Sequence, residues 1–477
     1  MPNRLPDIRA RLRSHGQEHV LTFVDRLAPA QVAALLDQVE AINFNELDEL
    51  IRTLVLAKPA VALPPTLEPA TCYAHDARSA ARPWDRDRFR AIGDELLRHG
   101  RVAAFTVAGG QGTRLGWNGP KGTFPATVVM GKPLFRVFAE QIVAARRRYG
   151  VPIPWYVMTS PQNDAETRRF FADNNFFGLP VEDVFTFPQG TMPSIGLDGK
   201  LLLAAPGALA TNPDGHGGSI KALRTSGAIE DMAARGIEAI SYFQVDNPLV
   251  HIFDPVFIGL HAAAPDSSAE MSSKMVPKIA PDEKVGVFCR AGGRTMVLEY
   301  SDLPPRLAQE RDAQGALRFV AGSIAIHVIG VRFVERLTAD RDHFGLPFHR
   351  AEKKVPCVDL ATGRLVEPDR PNAIKLETFV FEALPLAESS IVYETTRTEE
   401  FAPIKNATGV DSPATSHQLQ SDRAGAWLAS RGVSVPRRAD GTVDARIEIE
   451  PLTALDADDL AHVALPREVA RGAELVL

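Results

Sequence analysis

A chain of 477 residues, 45% apolar and 23% charged, has the balance of an ordinary globular protein and the length for two or three domains. Its formal net charge of −6 offers no basic field for nucleic acid, and it holds no run of 18 apolar residues to cross a membrane. Three cysteines, Cys72, Cys289 and Cys357, lie far apart with no CxxC pair, which argues against a zinc ribbon or redox dithiol and fits a reducing compartment.

The first residues, MPNRLPDIRARLRSHG, contain no apolar signal-peptide core, so the cytoplasm is the expected location. Residues 29–56 have helical periodicity. Val32, Leu35, Leu36, Val39 and Ile42 form one apolar stripe, and Leu47, Leu50, Ile51, Leu54 and Val55 form a second. Between the stripes, Asn43 three residues before Glu46 predicts a capped restart. The expectation is an N-terminal helical hairpin that packs on the main domain. Prolines at 59, 64, 65, 69 and 83 make 57–84 a wrapping linker rather than a packed element.

A helix is expected over 85–98 and a strand over 101–107. Helix 133–149, strand 154–160, helix 163–174, strand 184–187, helix 219–235 and strand 237–245 follow. Such alternation predicts an α/β domain with a mostly parallel sheet, whose ligands sit beyond the carboxyl ends of the strands. Residues 284–330 read as antiparallel β structure. Near the C-terminus, Val443, Ala445, Ile447 and Ile449 alternate with charged residues, as in one half-buried strand of a small terminal domain.

The segment AGGQGTRLGWNGPKGTFP, residues 108–125, follows a strand and holds Gly109, Gly110, Gly112, Gly116 and Gly119 before Lys121. It is not a Walker A loop, because Lys121 lies between Pro120 and Gly122. It is not the GxGxxG dinucleotide fingerprint either, since counted from Gly110 the third glycine comes one residue late, at Gly116. What remains is a long glycine loop with two cations, Arg114 and Lys121. That pattern suits several phosphate oxygens whose charge grows during a reaction. The competing reading, a tight turn with two solvated cations, is costly in backbone entropy. Asp246 follows an apolar strand, where a carboxylate can bridge a metal and a phosphate or cap a helix. Read alone, Lys375 and Lys405 are solvated cations and Phe379 and Phe381 are core.

AGGQGTRLG with PKG downstream resembles the signature of the eukaryotic-type UDP-sugar pyrophosphorylases, and most of all the UDP-N-acetylglucosamine (UDP-N-acetylhexosamine) pyrophosphorylases. PWYVMTS, FFGL, DGHGG, QVDNPLV, VGVFCR, LEYSD, FVAGSIAIH, EKKVPCVD, PNAIKLETFVFE and FAPIKNA match in the same order, as does INFNELDEL in the helical arm. The resemblance runs over nearly the whole chain from about residue 29. It implies a Rossmann-like nucleotidyltransferase domain with a mixed, mostly parallel central sheet, a helical arm and a small C-terminal β-containing domain. The expected segments are 1–95, 96–400 and 401–477.

The implied reaction is uridylyl transfer: UTP and a sugar 1-phosphate give a UDP-sugar and pyrophosphate. The nucleophile is already an anion, so positioning and charge neutralisation replace a general base. By resemblance, Gly109 and Gly110 hold the nucleotide, and Arg114 and Lys121 face the triphosphate. Gln189, Gly215 and His216 belong to the nucleotide site, Gln189 and Gly215 at uracil. Asp246 holds Mg²⁺. Lys405 and Lys375 serve the sugar phosphate. Gly286, Glu299, Ser323, Phe379 and Phe381 form the sugar site.

Two positions depart from that pattern. Ser323 stands where the acetylhexosamine enzymes typically carry an asparagine, and His216 gives DGHGG a glucose-type look. N-acetylglucosamine 1-phosphate is the expected sugar substrate, with a glucose-specific or broad enzyme as the alternative. A non-catalytic sugar-nucleotide sensor is the alternative of another class. Neither nucleic acid nor a membrane is an expected partner, and the sequence leaves the oligomeric state open.

Overall fold

Val102–Val107 reads VAAFTV, a run with one polar residue, as in a strand covered on both faces. The computed structural model describes residues 4–58, 63–78, 82–340 and 345–477 and puts this strand well inside the main sheet. The order across that sheet is Cys72–Tyr73, Val392–Glu394, Met271–Pro277, Ala321–Gly330, Ala239–Gln244, Val102–Val107, Trp155–Thr159 and Val184–Pro188. Ala321–Gly330 runs antiparallel to both neighbours, and every other pairing on this path is parallel. The sheet is therefore mixed and mostly parallel, as expected. The hairpin of Val287–Ala291 and Arg294–Leu298 joins it through Val287 and Gly322, in agreement with the antiparallel reading of 284–330.

The described residues form two compact units. One comprises Pro64–Pro188, Ala222–Arg336 and Ala383–Leu477, and contains the main sheet. Leu134–Tyr149 packs Leu134, Phe135, Phe138 and Ile142 into the core beside Trp155, Phe171 and Phe243. Arg86–Arg98 begins at Asp85, whose side chain accepts the Arg88 amide, and packs against Pro255–Ala263. The two helices approach so closely that a Cβ on Gly93 would lie 1.9 Å from the Pro255 carbonyl oxygen. In the C-terminal part, Val443, Ala445 and Ile447 are buried as their alternation predicts, although the strand is only Arg446–Glu448, paired with Glu474–Val476.

The other unit comprises Met1–Leu63, Gln189–Lys221 and Leu337–Glu382. Its helices Pro29–Glu40 and Phe44–Leu50 follow the predicted stripes, and Asn43 accepts the Glu46 amide at 3.3 Å. Leu35, Val39 and Leu47 pack with Ile195, Leu203, Ile374 and Leu376. The last four belong to segments far along the chain, including the strand Ala373–Thr378, which pairs with Phe348–Lys353 and Ile195–Gly196. A further helix, Arg4–Ser14, buries Ile8 and Leu12 and was not expected, because its apolar face holds so few residues.

Two expectations are corrected. The stretch 57–84 is more than a linker: Glu68–Pro69 and Cys72–Tyr73 add to the sheet, and Tyr73 packs edge-on against Trp84. Extended backbone at a sheet edge tolerates proline, which hides such strands from a reading based on breakers. Its residues 59–62 and 79–81 lie outside the described residues. Helix 219–235 is broken into Gly218–Thr225 and Ala228–Arg235, because Gly227 takes a left-handed φ of +82°. Among the described residues, no helix is long and apolar enough to cross a membrane.

Candidate active site

Gln244 pairs with Val107 at the ends of two parallel strands, and the Val245 amide then donates to the Val107 carbonyl at 3.1 Å. The chains leaving these strands carry the glycine loop and Asp246. Parallel register thus brings two sequence-distant motifs to one sheet end, where α/β folds bind ligands.

The loop closes on itself. The Gly112 amide donates to the Gly119 carbonyl at 2.9 Å, and the Lys121 amide to the Gly110 carbonyl at 3.0 Å. Asn163, just before the helix Asp164–Asp173, reinforces the turn, donating to the carbonyls of Ala108 at 3.0 Å and Gly110 at 3.3 Å. A Cβ on Gly112 would sit 2.6 Å from Trp117 Cβ, so that glycine is needed for closure, whereas the Cβ position on Gly110 faces open space. This closure returns Lys121 to the strand end, its Nζ 3.4 Å from Asp246 Oδ2. Arg114 lies exposed on the turn Thr113–Leu115 and has no hydrogen-bond or ion-pair partner among the described residues.

The segment bearing Lys405 reaches the same place. The Ile404 amide donates to the Asp246 carbonyl at 2.8 Å, and Lys405 Nζ lies 3.4 Å from Asp411 Oδ2. Three of the predicted sugar residues, Gly286, Glu299 and Ser323, neighbour one another in the same unit. The Ser323 amide donates to the Gly286 carbonyl at 2.8 Å, and a Cβ on Gly286 would meet Glu299 Oε1 at 3.6 Å and Val297 at 2.7 Å. Glycine is required there to let the neighbouring strand close in.

The remaining predicted residues lie in the other unit. Gln189 is buried and donates to Asp214 Oδ1 at 3.2 Å. Burial raises the Asp214 carboxyl above its ordinary value, opposed by that bond. Gly215 has φ +86° and a built Cβ would be 2.3 Å from the Thr378 carbonyl oxygen, so close backbone approach requires it. His216 Nδ1 accepts the Val380 amide at 3.2 Å, and its ring stacks on Phe379 at 5.2 Å. Burial pushes its imidazolium down to about 4, with His349 adding to the effect. His349 also stacks on Phe379, at 4.5 Å, and Phe381 is 5.2 Å from Phe379. Lys375 lies half-buried opposite Ala351 and has no ion pair among the described residues.

Among the described residues, no three His, Cys, Asp or Glu side chains gather as a ready-made metal cage. One carboxylate still fits Mg²⁺, which keeps water ligands and shares phosphate oxygens. Asp246 Oδ2 faces Lys121, and its Oδ1 has no hydrogen-bond partner among the described residues.

The family model for UTP–glucose-1-phosphate uridylyltransferase matches residues 88–420. This chain belongs to that family. Human UDP-N-acetylhexosamine pyrophosphorylase-like protein 1 is 37% identical to it over 97% of this chain and 95% of its own length. UDP-N-acetylglucosamine diphosphorylase 2 of Arabidopsis thaliana is 33% identical over 98% and 93%. Among solved structures, the uridine diphosphate N-acetylglucosamine pyrophosphorylase of Trypanosoma brucei superposes with a TM-score of 0.78 at 28% identity, covering 96% of this chain and 94% of that one.

In this uridylyltransferase-family chain, one residue of the site escaped the sequence reading. Asn247 is buried beside Asp246. Its Nδ2 donates to the Glu400 carbonyl at 2.6 Å and its Oδ1 accepts the Ala402 amide at 3.0 Å. It clamps the 400–405 segment to the Asp246 turn. Behind it, Glu400 and Asp254 both pair with the fully buried Lys274, at 2.6 and 2.7 Å. Burial opposes the charge of Asp254, yet Lys274 and then His251 hold its carboxyl well below the ordinary value. The signal in the sequence was its place between Asp246 and Pro248 in the matched stretch QVDNPLV.

Proposed function

We infer that the protein is a uridylyltransferase that joins UTP and N-acetylglucosamine 1-phosphate into UDP-N-acetylglucosamine, releasing pyrophosphate. The observation that carries this reading is the Lys121–Asp246 pair at the ends of adjacent parallel strands, closed in by the glycine loop. The names of the human and Arabidopsis thaliana relatives support the acetamido sugar.

A sugar phosphate oxygen attacks the α-phosphorus of UTP, and the bond to the bridging oxygen of pyrophosphate breaks. The nucleophile arrives as an anion, so no proton need be removed. What the protein supplies is alignment and positive charge. The backbone of Gly109 and Gly110 receives the nucleotide, and Arg114 and Lys121 offset the charge that builds on the leaving pyrophosphate. Gln189 and Gly215 take the base, with His216 beside them. Lys405 and Lys375 take the phosphate of the sugar. Gly286, Glu299 and Ser323 hold the sugar, with Phe379 and Phe381 as apolar walls. Asp246 would hold Mg²⁺, which supplies Lewis-acid neutralisation of phosphate oxygens when bound. The free cysteines Cys72, Cys289 and Cys357 fit a cytoplasmic enzyme.

Ser323 favours a second reading, a glucose or broad-range enzyme, because a hydroxyl gives an acetamido group fewer hydrogen bonds than an asparagine amide does. Pyrophosphate release from UTP with N-acetylglucosamine 1-phosphate or glucose 1-phosphate separates them. A higher kcat/KM for the acetamido sugar is expected, and a higher value for glucose 1-phosphate reverses the assignment. Nucleotide binding without turnover on either sugar would make the protein a sensor.

A further inference from the structure

A cavity of about 330 Å³ lies beside the main sheet within the larger unit, lined by the helices Arg86–Arg98 and Pro413–Ser430 and by residues 250–255, 393–400 and 449–458. Its lining includes none of Gly109, Gly110, Arg114, Lys121, Asp246 and Lys405.

The charged groups around it are unevenly satisfied. Of the lining carboxylates Asp254, Glu399, Glu400, Asp456 and Asp458, all but Asp458 have close partners on both oxygens. Asp254 takes the amides of Val256 and Phe257 and pairs with Lys274. Glu400 also pairs with Lys274, and Glu399 accepts Trp427 Nε1. Asp456 faces Arg148 and two amides, and Asp458 faces Arg431, with Arg90 at 3.8 Å.

The donors are in surplus. Arg423 uses only Nη1, on the carbonyls of Leu249 and Glu399, and its guanidinium lies 5.0 Å over the Trp427 ring. Arg86 likewise uses only Nη1, on the His75 carbonyl and the Tyr393 hydroxyl. Nε and Nη2 of both arginines lack protein partners among the described residues. Arg90 has only its long contact with Asp458. The His251 ring makes no hydrogen bond among the described residues, and the buried Nδ1 of His75 has none. Open guanidinium forks with every acid already partnered call for an external acceptor with several oxygens.

We propose that this cavity binds a small phosphate-bearing anion, held by Arg86, Arg90 and Arg423 with His75 and His251. Its size is at the lower end of pockets that take small molecules, which fits inorganic phosphate or a compact phosphate monoester. The tetrahedral dianion supplies enough oxygens for three guanidinium groups, which a single carboxylate does not. The proposal does not depend on the transferase reading, because it uses none of those residues.

Calorimetric titration of the full chain with inorganic phosphate, in buffer free of other oxyanions, tests it. Glucose 6-phosphate serves as a second arm. Wild-type protein should bind, Lys121→Ala should bind equally well, and Arg90→Glu and Arg423→Gln should each weaken binding by about tenfold or more. Arg90 is 40% exposed, so its variant keeps the test decisive even if Arg423→Gln misfolds. Equal affinity in both arms identifies phosphate alone as the ligand, and tighter glucose 6-phosphate identifies a monoester. No binding by the wild type, loss of binding in Lys121→Ala, or unchanged binding in Arg90→Glu overturns the proposal.

Discussion

The amide of Ile404 donates to the carbonyl of Asp246 at 2.8 Å, which sets the residue before Lys405 against the proposed metal carboxylate. Asn247 closes the same junction from its side chain. Lys405 and Asp246, the cation and the carboxylate proposed for the two substrates, are thus fixed to one backbone junction, not left to separate loops.

Asn247→Ala should expose how far that junction serves turnover. The variant leaves the Glu400 carbonyl and the Ala402 amide without a partner in a buried setting, at a stability cost of about 1–3 kcal/mol by urea unfolding. Misplacing Lys405 and Asp246 should lower kcat by about tenfold or more and raise the Mg²⁺ concentration for half-maximal rate. A destabilised variant with unchanged kcat and Mg²⁺ titration would show that the clamp is only structural.

Lys121→Ala removes the charge proposed to face the leaving end of the nucleotide. Turnover should fall by roughly a hundredfold or more, the scale seen when one preorganised charge donor is deleted. The Lys121–Asp246 pair is 3.4 Å long and partly open to solvent, so the unfolding free energy should change by less than about 1 kcal/mol. A rate near that of the wild type contradicts the role. The companion variant Asp246→Ala should weaken the Mg²⁺ dependence, read from pyrophosphate release across a metal titration.

Much of this geometry was legible in the chain. The strand Val102–Val107, the loop after it and the strand leading to Asp246 follow from apolar runs and glycine spacing. Their convergence at one sheet end follows from the parallel topology such alternation implies, whereas the direct pairing of the two strands does not, because alternation leaves strand order open. The clamp was not legible, because Asn247 meets the Glu400 carbonyl 153 residues away. Nor could spacing sort the glycines: Gly112 and Gly122 make room for Trp117 and Phe135, while the Cβ direction of Gly110 opens to free space. Periodicity ran through Gly227, where a left-handed residue ends one helix and starts the next.

Acid should weaken the fold through His261. Its ring is buried, bonded to the Ser272 hydroxyl at 2.9 Å, and burial pushes its imidazolium down to about 4 from 6.5. Between those values the unfolded chain binds a proton that the native chain does not. Stability therefore falls as pH drops below about 6.5, with the loss complete once pH is below about 4. At pH 5 this amounts to about 2 kcal/mol. His261→Gln should lose less stability than the wild type between pH 7 and pH 5, measured by urea unfolding. Parallel losses in the two proteins would remove His261 as the source.

Lys274 is the most exacting of these groups to replace. It is fully buried, with Asp254 at 2.7 Å and Glu400 at 2.6 Å, and its ammonium also lies 5.3 Å from the centre of the Phe257 ring. Lys274→Met keeps the volume but leaves two carboxylates buried without their cation. The expected cost is about 3–5 kcal/mol, because breaking a buried pair strands the partner's charge. Neutralising one of those acids should return part of it, so Lys274→Met with Glu400→Gln should unfold at higher urea than Lys274→Met alone. Glu400 is also the residue whose carbonyl Asn247 holds, so the single variant should lose turnover along with stability, and the double variant should recover some of both. If the double variant is less stable than the single one, Glu400 is held by something other than the Lys274 charge.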